Sequence, residues 1–416
     1  MIESNDVSAR RDLLDCFQVA LQAVNGRTCV AASLGQHVDL LQNGCALVAI
    51  GKAALAMTEG ARDVLGTHIQ SGLVITKEGY AQPLVPPAAA MEILESAHPV
   101  PDERSLLAGQ RLIDFVQTLP AHLPMLFLIS GGASSLVEHL PDGIGLADLQ
   151  RINSVMLASG MPIGAINQVR KKLSLLKGGG LLDYLGERPV VNLLMSDVPD
   201  NDPAVIGSGL LIRTESPVSL PMDLPDEIVS KLSSIKMPHP VYSRHQPKVM
   251  TSIVADNQLA CQAAVRCATG KGYRVQLQTA CLSGDVERVA EQITATLFKS
   301  EAGVYIWGGE PTVNLPAVPG RGGRNQQLAL LLAERIQNEK GLQILVAATD
   351  GSDGPTEHAG GLVDGQTISR GEQEGMDARR CLRETNAGAF LEASGDLIST
   401  GPTGSNVMDL VIACKT

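Results

Sequence analysis

Residues 124–135 of the chain read PMLFLISGGASS, an apolar run followed by small residues. The run Met125–Ile129 has the length of a buried strand, and Gly131-Gly132 marks a turn directly after it. Backbone N–H groups and serine hydroxyls would then converge at the end of the strand, where they could bind an anion. A tight turn that needs glycines only for its shape accounts for the same letters. No Gly-x-Ser-x-Gly elbow occurs, so the loop does not indicate a hydrolase nucleophile.

The same pattern recurs in the first half of the chain, where short apolar runs end in glycine, hydroxyl or charged residues. The runs are Cys45–Ile50 before Gly51-Lys52, residues 72–75 before Thr76-Lys77, and Val190–Met195 before Ser196-Asp197. Helical periodicity appears between them, at Glu103–Thr118 and Leu146–Ala158. This alternation predicts a parallel α/β sheet with helices on both faces. Ligands of such sheets bind beyond the carboxyl ends of the strands, where these loops lie.

The length of 416 residues predicts two domains, because a single hydrophobic core rarely grows that large. The proline-rich stretch 214–248 is the predicted boundary region. We therefore predict an N-terminal domain at 1–240 and a C-terminal domain at 241–416. A leading amphipathic helix is expected over residues 8–24. The segments that predict a second α/β domain are 257–268, 273–277, 286–298, 304–307, 326–336 and 344–347.

Composition and charge disfavour several classes of partner. The net charge of −11 disfavours a nucleic-acid or anionic-membrane surface, and one Trp, five Tyr and five Phe leave few rings for base stacking. The eight cysteines form no CxxC pair, so neither a disulfide scaffold nor a zinc site is indicated. No signal-peptide core and no apolar run of membrane-spanning length is present. We expect a cytoplasmic protein without nucleic-acid or membrane partners.

Two loops carry cations beside glycines. Gly51-Lys52 stands between a strand and a helix, which would point the lysine at the ligand cleft; a solvated surface lysine fits equally well. Residues 308–312 and 320–327 place Arg321 and Arg324 in a glycine-rich loop before a helix. Arginines suit phosphate or carboxylate, and a helix N-terminus attracts anions, so this loop is predicted to bind a polyanion. A flexible hairpin with solvated arginines is the alternative.

Two acidic loops also follow apolar runs, at residues 196–203 and 349–356. Carboxylates clustered at strand ends suit octahedral Mg²⁺ and can orient a hydroxyl nucleophile, so Asp197, Asp350 and Asp353 are candidate metal ligands. Turn formation by Asp-Gly and Asp-Pro pairs is the alternative. Cations, anion-binding loops and carboxylates, without zinc ligands, are together the groups that phosphoryl transfer requires.

Three weaker features complete the candidate set. Residues 400–406 form another loop of glycines and hydroxyls, which could line the same cleft. Residues 177–180 add a lysine and a permissive turn, although a solvated helix end explains them as well. His98 and His358 are acid–base candidates, but a lone histidine is more often structural.

These motifs, in this order, resemble the glycerate 2-kinase family, whose C-terminal part is called the MOFRL domain. The resemblance covers nearly the whole chain. It implies two three-layer α/β domains, the N-terminal one Rossmann-like with a mostly parallel sheet, and an active site in the cleft between them. It also implies phosphorylation of D-glycerate at the C2 hydroxyl, with ATP and Mg²⁺, to give 2-phosphoglycerate and ADP. The segments that carry the resemblance are 50–54, 96–102, 129–135, 195–200, 308–312, 320–327, 348–356 and 400–406.

The resemblance also suggests roles for individual positions. Lys52 and Arg324 match the family's functional lysine and arginine, and Asp197 is expected to act with them in catalysis. Mg²⁺ is expected on Asp197, Asp350 and Asp353. Gln327 stands where the family often has Glu, a conservative departure. The positions expected to bind substrate and phosphate are Ser130, Gly131, Gly132, Ala133, Ser134, Ser135, Glu310, Arg321, Gly322, Gly323 and Asn325.

Three other functions stay open at this point. A hydroxypyruvate reductase would need a nicotinamide site, yet no Gly-x-Gly-x-x-Gly follows the first strands. A kinase for another small sugar acid differs only in substrate length, on which the sequence is silent. A small-anion binding module would bind without turnover. The sequence also leaves open whether the chain forms a homodimer.

Overall fold

The computed structural model describes residues 2–84, 91–158, 163–213, 224–235 and 247–416. Helices and strands alternate through most of these ranges, as the sequence predicts. In chain order they are α1 (Ile2–Ala23), α2 (Gly26–Leu34), α3 (Val38–Leu41), β1 (Cys45–Ile50), α4 (Ala54–Leu65), β2 (Ile69–Lys77), β3 (Met91–Ser96), α5 (Glu103–Thr118), β4 (Met125–Ile129), α6 (Ala133–Leu136), α7 (Leu146–Ala158), α8 (Ile163–Lys172), β5 (Val190–Met195), α9 (Asp226–Ser234), β6 (Val249–Ala255), α10 (Asn257–Gly270), β7 (Val275–Leu277), β8 (Leu282–Asp285), α11 (Val286–Lys299), β9 (Gly303–Thr312), α12 (Arg324–Arg335), β10 (Leu342–Ala348), β11 (Gly360–Asp364), α13 (Thr367–Gln373), α14 (Ala378–Arg383), α15 (Ala387–Ala393), β12 (Leu397–Ile398) and β13 (Asp409–Lys415).

The chain divides into two compact units. The parallel-sheet unit spans Gly26–Val254, and the mixed-sheet unit combines the segment up to Asn25 with Ala255–Thr416. The predicted division into 1–240 and 241–416 differs from this one, because α1 belongs with the C-terminal part and most of β6 belongs with the N-terminal part. Much of the predicted boundary region, 214–223 and 236–246, lies outside the described residues.

The parallel-sheet unit is built on a six-stranded sheet in the order β3-β2-β1-β4-β5-β6. Strand β1 pairs in parallel with both β2 and β4, and β4 pairs in parallel with β5. Every residue of β1, β4 and β5 is buried, as expected for strands covered on both faces. This order is the Rossmann order, so the predicted Rossmann-like parallel sheet is confirmed.

Strand prediction succeeded where an apolar run is buried on both faces. The predicted strands Cys45–Ile50, Met125–Ile129 and Val190–Met195 match β1, β4 and β5 at both ends, and helix α5 also matches its prediction. Strand β2 is longer than its predicted 72–75 core. A smaller apolar cluster joins α7, α8 and α9 in the same unit.

The mixed-sheet unit has a seven-stranded sheet in the order β12-β11-β10-β13-β9-β7, with β8 paired to β9. Strand β13 runs antiparallel to both of its neighbours, β10 and β9, whereas β7 and β8 pair with β9 in parallel. Helix α12 lies in its hydrophobic core, together with Tyr305 and Trp307 from β9. Of the described helices in either unit, none is long and apolar enough to cross a lipid bilayer.

Helix α1 belongs to the mixed-sheet unit because charged and apolar contacts both tie it there. Arg10 forms ion pairs with Asp364 and Asp396. Lys271, after α10, binds Asp12 and Asp15 of α1 at 2.6 and 2.7 Å. Leucine and phenylalanine side chains of the same helix are buried. The amphipathic helix expected at 8–24 therefore exists, and it packs on elements more than two hundred residues away along the chain.

Replacing one leucine of α1 tests where this helix belongs. Leu13 is 1% exposed and Leu14 is 40% exposed. We expect Leu13→Ala to lower the free energy of unfolding by about 2–5 kcal/mol, because it leaves a cavity, and Leu14→Ala to change it by about 0.5 kcal/mol or less. Urea denaturation followed by fluorescence measures this, since the single tryptophan, Trp307, lies in the mixed-sheet unit. An unchanged Trp307 transition in Leu13→Ala would show that α1 does not stabilise that unit.

Candidate active site

The loops after β1 and β4 meet at the point where the strand order of the parallel sheet reverses. Strand β1 lies between β2 and β4. Strands β2 and β3 are added on one side of β1, and strands β4, β5 and β6 are added on the other side. In open α/β sheets the crevice outside the carboxyl ends of the strands at such a point is the usual ligand site. Gly51-Lys52 follows β1, and the 130–135 loop follows β4. The structure thus brings together two of the predicted loops.

Backbone and hydroxyl contacts lock these two loops to each other. The Lys52 N–H donates to the Gly131 carbonyl at 3.0 Å, and the Ala53 N–H donates to the Ser130 Oγ at 3.1 Å. Gly51 has a φ of 132°, and a β-carbon there would lie 2.1 Å from the Ser130 Oγ. Only glycine allows that approach, because another residue would clash and would also be strained at this φ.

Lys52 and His98 both lie beside Gly132. A β-carbon at Gly132 would lie 3.0 Å from the His98 Cδ2 and 3.4 Å from the Lys52 Cγ. Within the described part of the chain, the N–H groups of Gly131 and Gly132 donate to no protein acceptor. A cation, an imidazole and backbone amides therefore surround one small region, which suits an anionic ligand.

Several hydroxyls predicted to bind ligand instead brace the loop. The Ser135 Oγ donates to the Gly132 carbonyl at 3.1 Å, and the Ser134 Oγ lies 2.7 Å from the Ser208 Oγ. The Ser130 Oγ is buried and accepts the Ala53 N–H. Ala133 begins the short helix α6 and is buried. The loop therefore offers backbone groups to a ligand more readily than hydroxyls.

A buried ion pair lies in the chain directly after this loop. Lys177 binds Glu138, and both side chains are almost completely buried. The Glu138 N–H also donates to the Ser105 carbonyl at 3.0 Å, which fixes the end of the loop against α5. Lys177, predicted as an added basic group near the ligand, is thus neutralised inside the unit.

Asp197 follows β5, the strand next to β4 in the parallel sheet. Its side chain is half-buried, which keeps it a candidate for binding metal or substrate. Neighbouring residues of the acidic loop have local structural roles: the Ser196 Oγ donates to the Val198 carbonyl, and Asp202 accepts the Ala204 N–H at 2.9 Å. The alternative of turn formation is therefore correct for part of this loop.

In the mixed-sheet unit, Arg324 is held by two carboxylates. Its Nε and Nη2 bind the two oxygens of Asp409 at 2.6 and 3.0 Å, and its Nη1 lies 2.7 Å from the Glu310 Oε1. Burial lowers the pKa of Arg324, but Asp409, and after it Glu310 and Asp353, raise it above its ordinary value. The guanidinium therefore stays charged at every pH at which the protein is folded.

Asp353 fills the anion position at the N-terminus of α12. Its carboxylate accepts the N–H groups of Asn325 at 3.0 Å and Gln326 at 2.8 Å. Gly323 allows this, because a β-carbon there would lie 2.4 Å from the Asp353 Cγ. The prediction that these N–H groups bind an external polyanion is therefore wrong: an internal carboxylate already satisfies them. The same cap explains why the helix begins at Arg324, two residues before its predicted start.

Burial raises the pKa of Asp353 to about 7. The two backbone N–H groups and Arg324 act in the opposite direction, while the neighbouring charge of Asp409 adds to the increase. At 2% exposure and with N–H donors on both oxygens, Asp353 fits a helix cap and not the metal ligand it was predicted to be.

The glycine-rich loop before α12 is docked on α15 and its N-terminal flank. The Arg321 N–H donates to the Asn386 Oδ1 at 2.9 Å, and the Gly388 N–H donates to the Arg321 carbonyl at 2.9 Å. The Arg321 guanidinium is paired with Glu392. Both side chains of this ion pair are exposed, so the pair is weak, and the predicted role of Arg321 on phosphate stays a prediction. Gly322 lies within this docked segment, where a β-carbon would lie 3.1 Å from the Gly388 N.

The loop at 349–354 packs against the loop at 400–406. The Thr403 Oγ1 donates to the Thr349 carbonyl, and the Thr349 Oγ1 donates to the Met408 carbonyl, each at 2.6 Å. Asp350 is buried and accepts the Ser352 N–H at 2.9 Å, the turn contact considered as the alternative. The hydroxyls of the 400–406 loop thus serve as braces in the described structure.

Comparison with known proteins agrees with this geometry. Residues 12–239 match the model of a domain of unknown function, DUF4147, and residues 303–409 match the MOFRL family. A D-glycerate 2-kinase from Thermotoga maritima is 36% identical over 377 residues, which cover 88% of this chain and 89% of that protein. The chain belongs to the glycerate 2-kinase family.

A solved structure and one more relative give information on the fold and function of this glycerate 2-kinase family member. The crystal structure of a glycerate kinase from Thermotoga maritima superposes with a TM-score of 0.80 at 32% identity, covering 98% of this chain and 100% of that one. A putative hydroxypyruvate reductase from Agrobacterium vitis is 32% identical over 428 residues, covering 98% of this chain and 94% of that protein.

The family motif positions thus fall into two groups, one in each unit. Sequence reasoning missed Asp409, Glu138 and Asn257. Asp409 lies just beyond the predicted 400–406 loop, directly before the apolar run 410–414, which is the signal that could have identified it. Glu138 lies shortly after the 130–135 motif, a charged residue that follows small and apolar ones. Asn257 binds the carbonyls of Val407 and Asp409, a contact with no local signal.

Removing one partner of the buried Lys177–Glu138 ion pair should destabilise the parallel-sheet unit. Glu138→Ala leaves the Lys177 ammonium buried without its counter-charge, which costs about 3–5 kcal/mol. The double variant Glu138→Leu/Lys177→Met removes both charges and should recover most of that loss. Urea denaturation followed by circular dichroism measures both. Equal losses in the single and double variants would show that the charge pairing is unimportant.

The buried carboxyl of Asp353 predicts a pH-dependent stability. Its pKa is about 7 in the folded protein against 3.8 in the unfolded chain, so between these values the folded state holds a proton that the unfolded state has released. Its contribution to the free energy of unfolding is therefore fully present at low pH and falls as the pH rises through about 7. Asp353→Asn should flatten the fall in unfolding free energy between about pH 4 and about pH 7. A variant curve as steep as that of the wild type contradicts the assignment.

Proposed function

We propose that the chain phosphorylates D-glycerate at its C2 hydroxyl, with ATP as donor, to give 2-phosphoglycerate and ADP. The observation that carries this proposal is the meeting of Lys52, His98 and the 130–135 loop at the reversal point of a Rossmann-ordered sheet. The relatives named glycerate kinases support the choice of substrate.

Lys52 and the backbone amides of the loop suit the anionic groups of this reaction. A lysine ammonium is a compact charge for phosphate or carboxylate, and N–H groups fixed before the ligand arrives need no reorganisation during the reaction. In the mixed-sheet unit, we propose that Arg324 stabilises the negative charge of the transferring phosphoryl group. A guanidinium in that role is worth about 10³-fold or more in rate.

Mg²⁺ is compatible with the carboxylates present. The described residues contain no group of three or more His, Cys, Asp or Glu side chains placed to hold a metal ion. Mg²⁺, however, is usually bound by one or two carboxylates together with substrate phosphates and water. We propose Asp197 in the parallel-sheet unit and Asp350 in the mixed-sheet unit as separate candidate ligands, and leave out Asp353 because it caps α12. Bound there, the ion would neutralise phosphate charge.

The charges around Arg324 give a second reason for a cation. Glu310, Asp409 and Asp353 all act on its single positive charge. A nucleotide polyphosphate would meet net negative charge in this cluster, so a divalent ion bound with it would lower the electrostatic cost. Asp197, half-buried at the end of β5, is our proposal for the group that accepts the C2 hydroxyl proton, directly or through water.

The remaining assignments follow from this proposal. The ligands are small molecules, D-glycerate and Mg-ATP, and neither nucleic acid nor a membrane is a partner. We place the reaction in the cytoplasm, in line with the acidic composition and the scattered cysteines.

The test is a coupled assay with purified protein, Mg-ATP and D-glycerate. Enolase is added and phosphoglycerate mutase is left out, because enolase uses 2-phosphoglycerate and not the 3-isomer. Immediate formation of phosphoenolpyruvate supports both the activity and the position of transfer. ADP without phosphoenolpyruvate contradicts transfer to C2, and the absence of ADP contradicts the glycerate kinase proposal.

Hydroxypyruvate reduction is the second candidate, favoured by the name of the Agrobacterium vitis relative and by the dinucleotide-type strand order. The turn after β1 carries a single glycine, Gly51, where a dinucleotide fingerprint has three. Oxidation of NADH by hydroxypyruvate in a parallel reaction would favour the reductase. No NADH oxidation together with phosphoenolpyruvate formation would exclude it.

Two substitutions test the residues assigned to phosphoryl transfer. Arg324→Ala should lower kcat by about 10³-fold, and Lys52→Met should also abolish most of the turnover, both with folded protein by circular dichroism. Arg335→Ala, which removes an exposed arginine in the last turn of the same helix α12, is the matched control and should retain activity. Turnover near that of the wild type in either variant removes that residue from the mechanism.

A further inference from the structure

The contact between Arg324 and Asp409 has a specific geometry. Asp409 receives the Nε–H and one Nη2–H in two parallel hydrogen bonds, the side-on bidentate arrangement. Glu310 pairs with Nη1. A guanidinium carries five N–H donors, so these contacts leave donors at its Nη1–Nη2 end. The orientation of that end is set by the carboxylate of Asp409 on the adjacent Nε–Nη2 edge.

Asp409 is itself rigidly placed. It is 2% exposed and begins β13, where it lies opposite Gly309 of β9 and Ala348 of β10. Its carbonyl accepts the side-chain amide of Asn257 at 3.1 Å. Its backbone is therefore fixed from three directions by elements of the same unit.

Arg324, by contrast, is a long side chain on the first turn of a helix. An arginine side chain has several rotatable bonds and high rotamer entropy, so without a fixed partner it would sample many orientations. Asn325, the next residue, uses its backbone N–H on Asp353. The cap thus fixes the backbone of this turn, while Asp409 fixes the direction of the guanidinium.

We propose that Asp409 is a positioning residue for phosphoryl transfer: its carboxylate holds Arg324 side-on, so that the Nη1–Nη2 end is presented to the phosphoryl group. This inference rests on the proposed function for the reaction, but the contact itself stands on the geometry. Asp409 touches neither substrate nor nucleotide in this role and acts only through Arg324.

The first measurement is the steady-state kinetics of Asp409→Asn. Asparagine keeps the size of the side chain but removes the charge and one acceptor. We expect kcat to fall by about 10²-fold, the cost of a misplacement of about 1 Å, while the KM for D-glycerate changes far less. An unchanged kcat overturns the proposal.

A double-mutant cycle separates positioning from general destabilisation. If Asp409 acts only through Arg324, then Arg324→Ala/Asp409→Asn should be no slower than Arg324→Ala alone, because the two residues work as one unit. Losses that multiply in the double variant would show that Asp409 has an independent role and would overturn the proposal.

Asp396→Asn is the matched structural control. Asp396 is also a buried carboxylate of the mixed-sheet unit, and it binds Arg370 and Arg10. We expect it to lower the melting temperature at least as much as Asp409→Asn does, with kcat preserved. If Asp396→Asn lowers kcat as strongly, the effect of Asp409→Asn is structural and the proposal fails.

A second variant covers the case in which Asp409→Asn does not fold. Asp409→Glu keeps the charge and the ion pair but moves the carboxylate by one methylene, so positioning predicts a lower kcat with stability largely retained. Full activity in a folded Asp409→Glu overturns the proposal.

One readout does not depend on turnover. In arginine-¹⁵N-labelled protein, an Nε–H signal protected from exchange should be lost in both Arg324→Ala and Asp409→Asn. Its persistence in Asp409→Asn overturns the contact itself. Wild-type turnover in the enolase-coupled assay reports on the proposed function independently, so failure of the function and failure of the positioning role are told apart.

Discussion

Asp353 buries its carboxylate beneath the first turn of α12, and this contact joins the glycine-rich loop before the helix to the acidic loop at 349–356. The carboxylate accepts two helix N–H groups, so the turn needs no external anion. Gly323 lies against it, and the Gln326 side chain donates to the Thr356 hydroxyl in the same acidic loop. Because the backbone of this turn is fixed, the Cα of Arg324 has a defined position relative to the residues that its side chain binds.

The two units differ in whether the protein itself supplies an acceptor for the backbone N–H groups of their glycine-rich turns. In the parallel-sheet unit, the amides of Gly131 and Gly132 are left without protein acceptors in the described structure, while the serine hydroxyls hold the loop in shape. In the mixed-sheet unit, the protein supplies its own carboxylate to the helix terminus. A glycine-rich turn before a helix therefore has two structural outcomes, and its local sequence does not show which of them occurs.

Local patterns predicted the elements and the loops, whereas the partners of individual side chains depend on residues far along the chain. The strands β1, β4 and β5 were predictable because burial on both faces demands continuous apolar runs. Arg324 binds a residue 85 positions away, and Arg321 binds one 71 positions away. No periodicity encodes such pairs, so Asp409 was missed and Arg321 was assigned to a ligand. The antiparallel strands of the mixed sheet lacked tight hairpin turns, and their direction was equally hidden.

The last strand of the chain, β13, lies in the middle of its sheet between β10 and β9. During synthesis, all residues of the parallel-sheet unit leave the ribosome as one continuous segment, so that unit can complete its core early. The mixed-sheet unit, by contrast, joins α1, which precedes the parallel-sheet unit in the chain, to strands that follow it, so its core cannot be complete until both segments have been made. Its folding therefore depends on contacts between segments far apart in sequence, a long-range topology that slows folding.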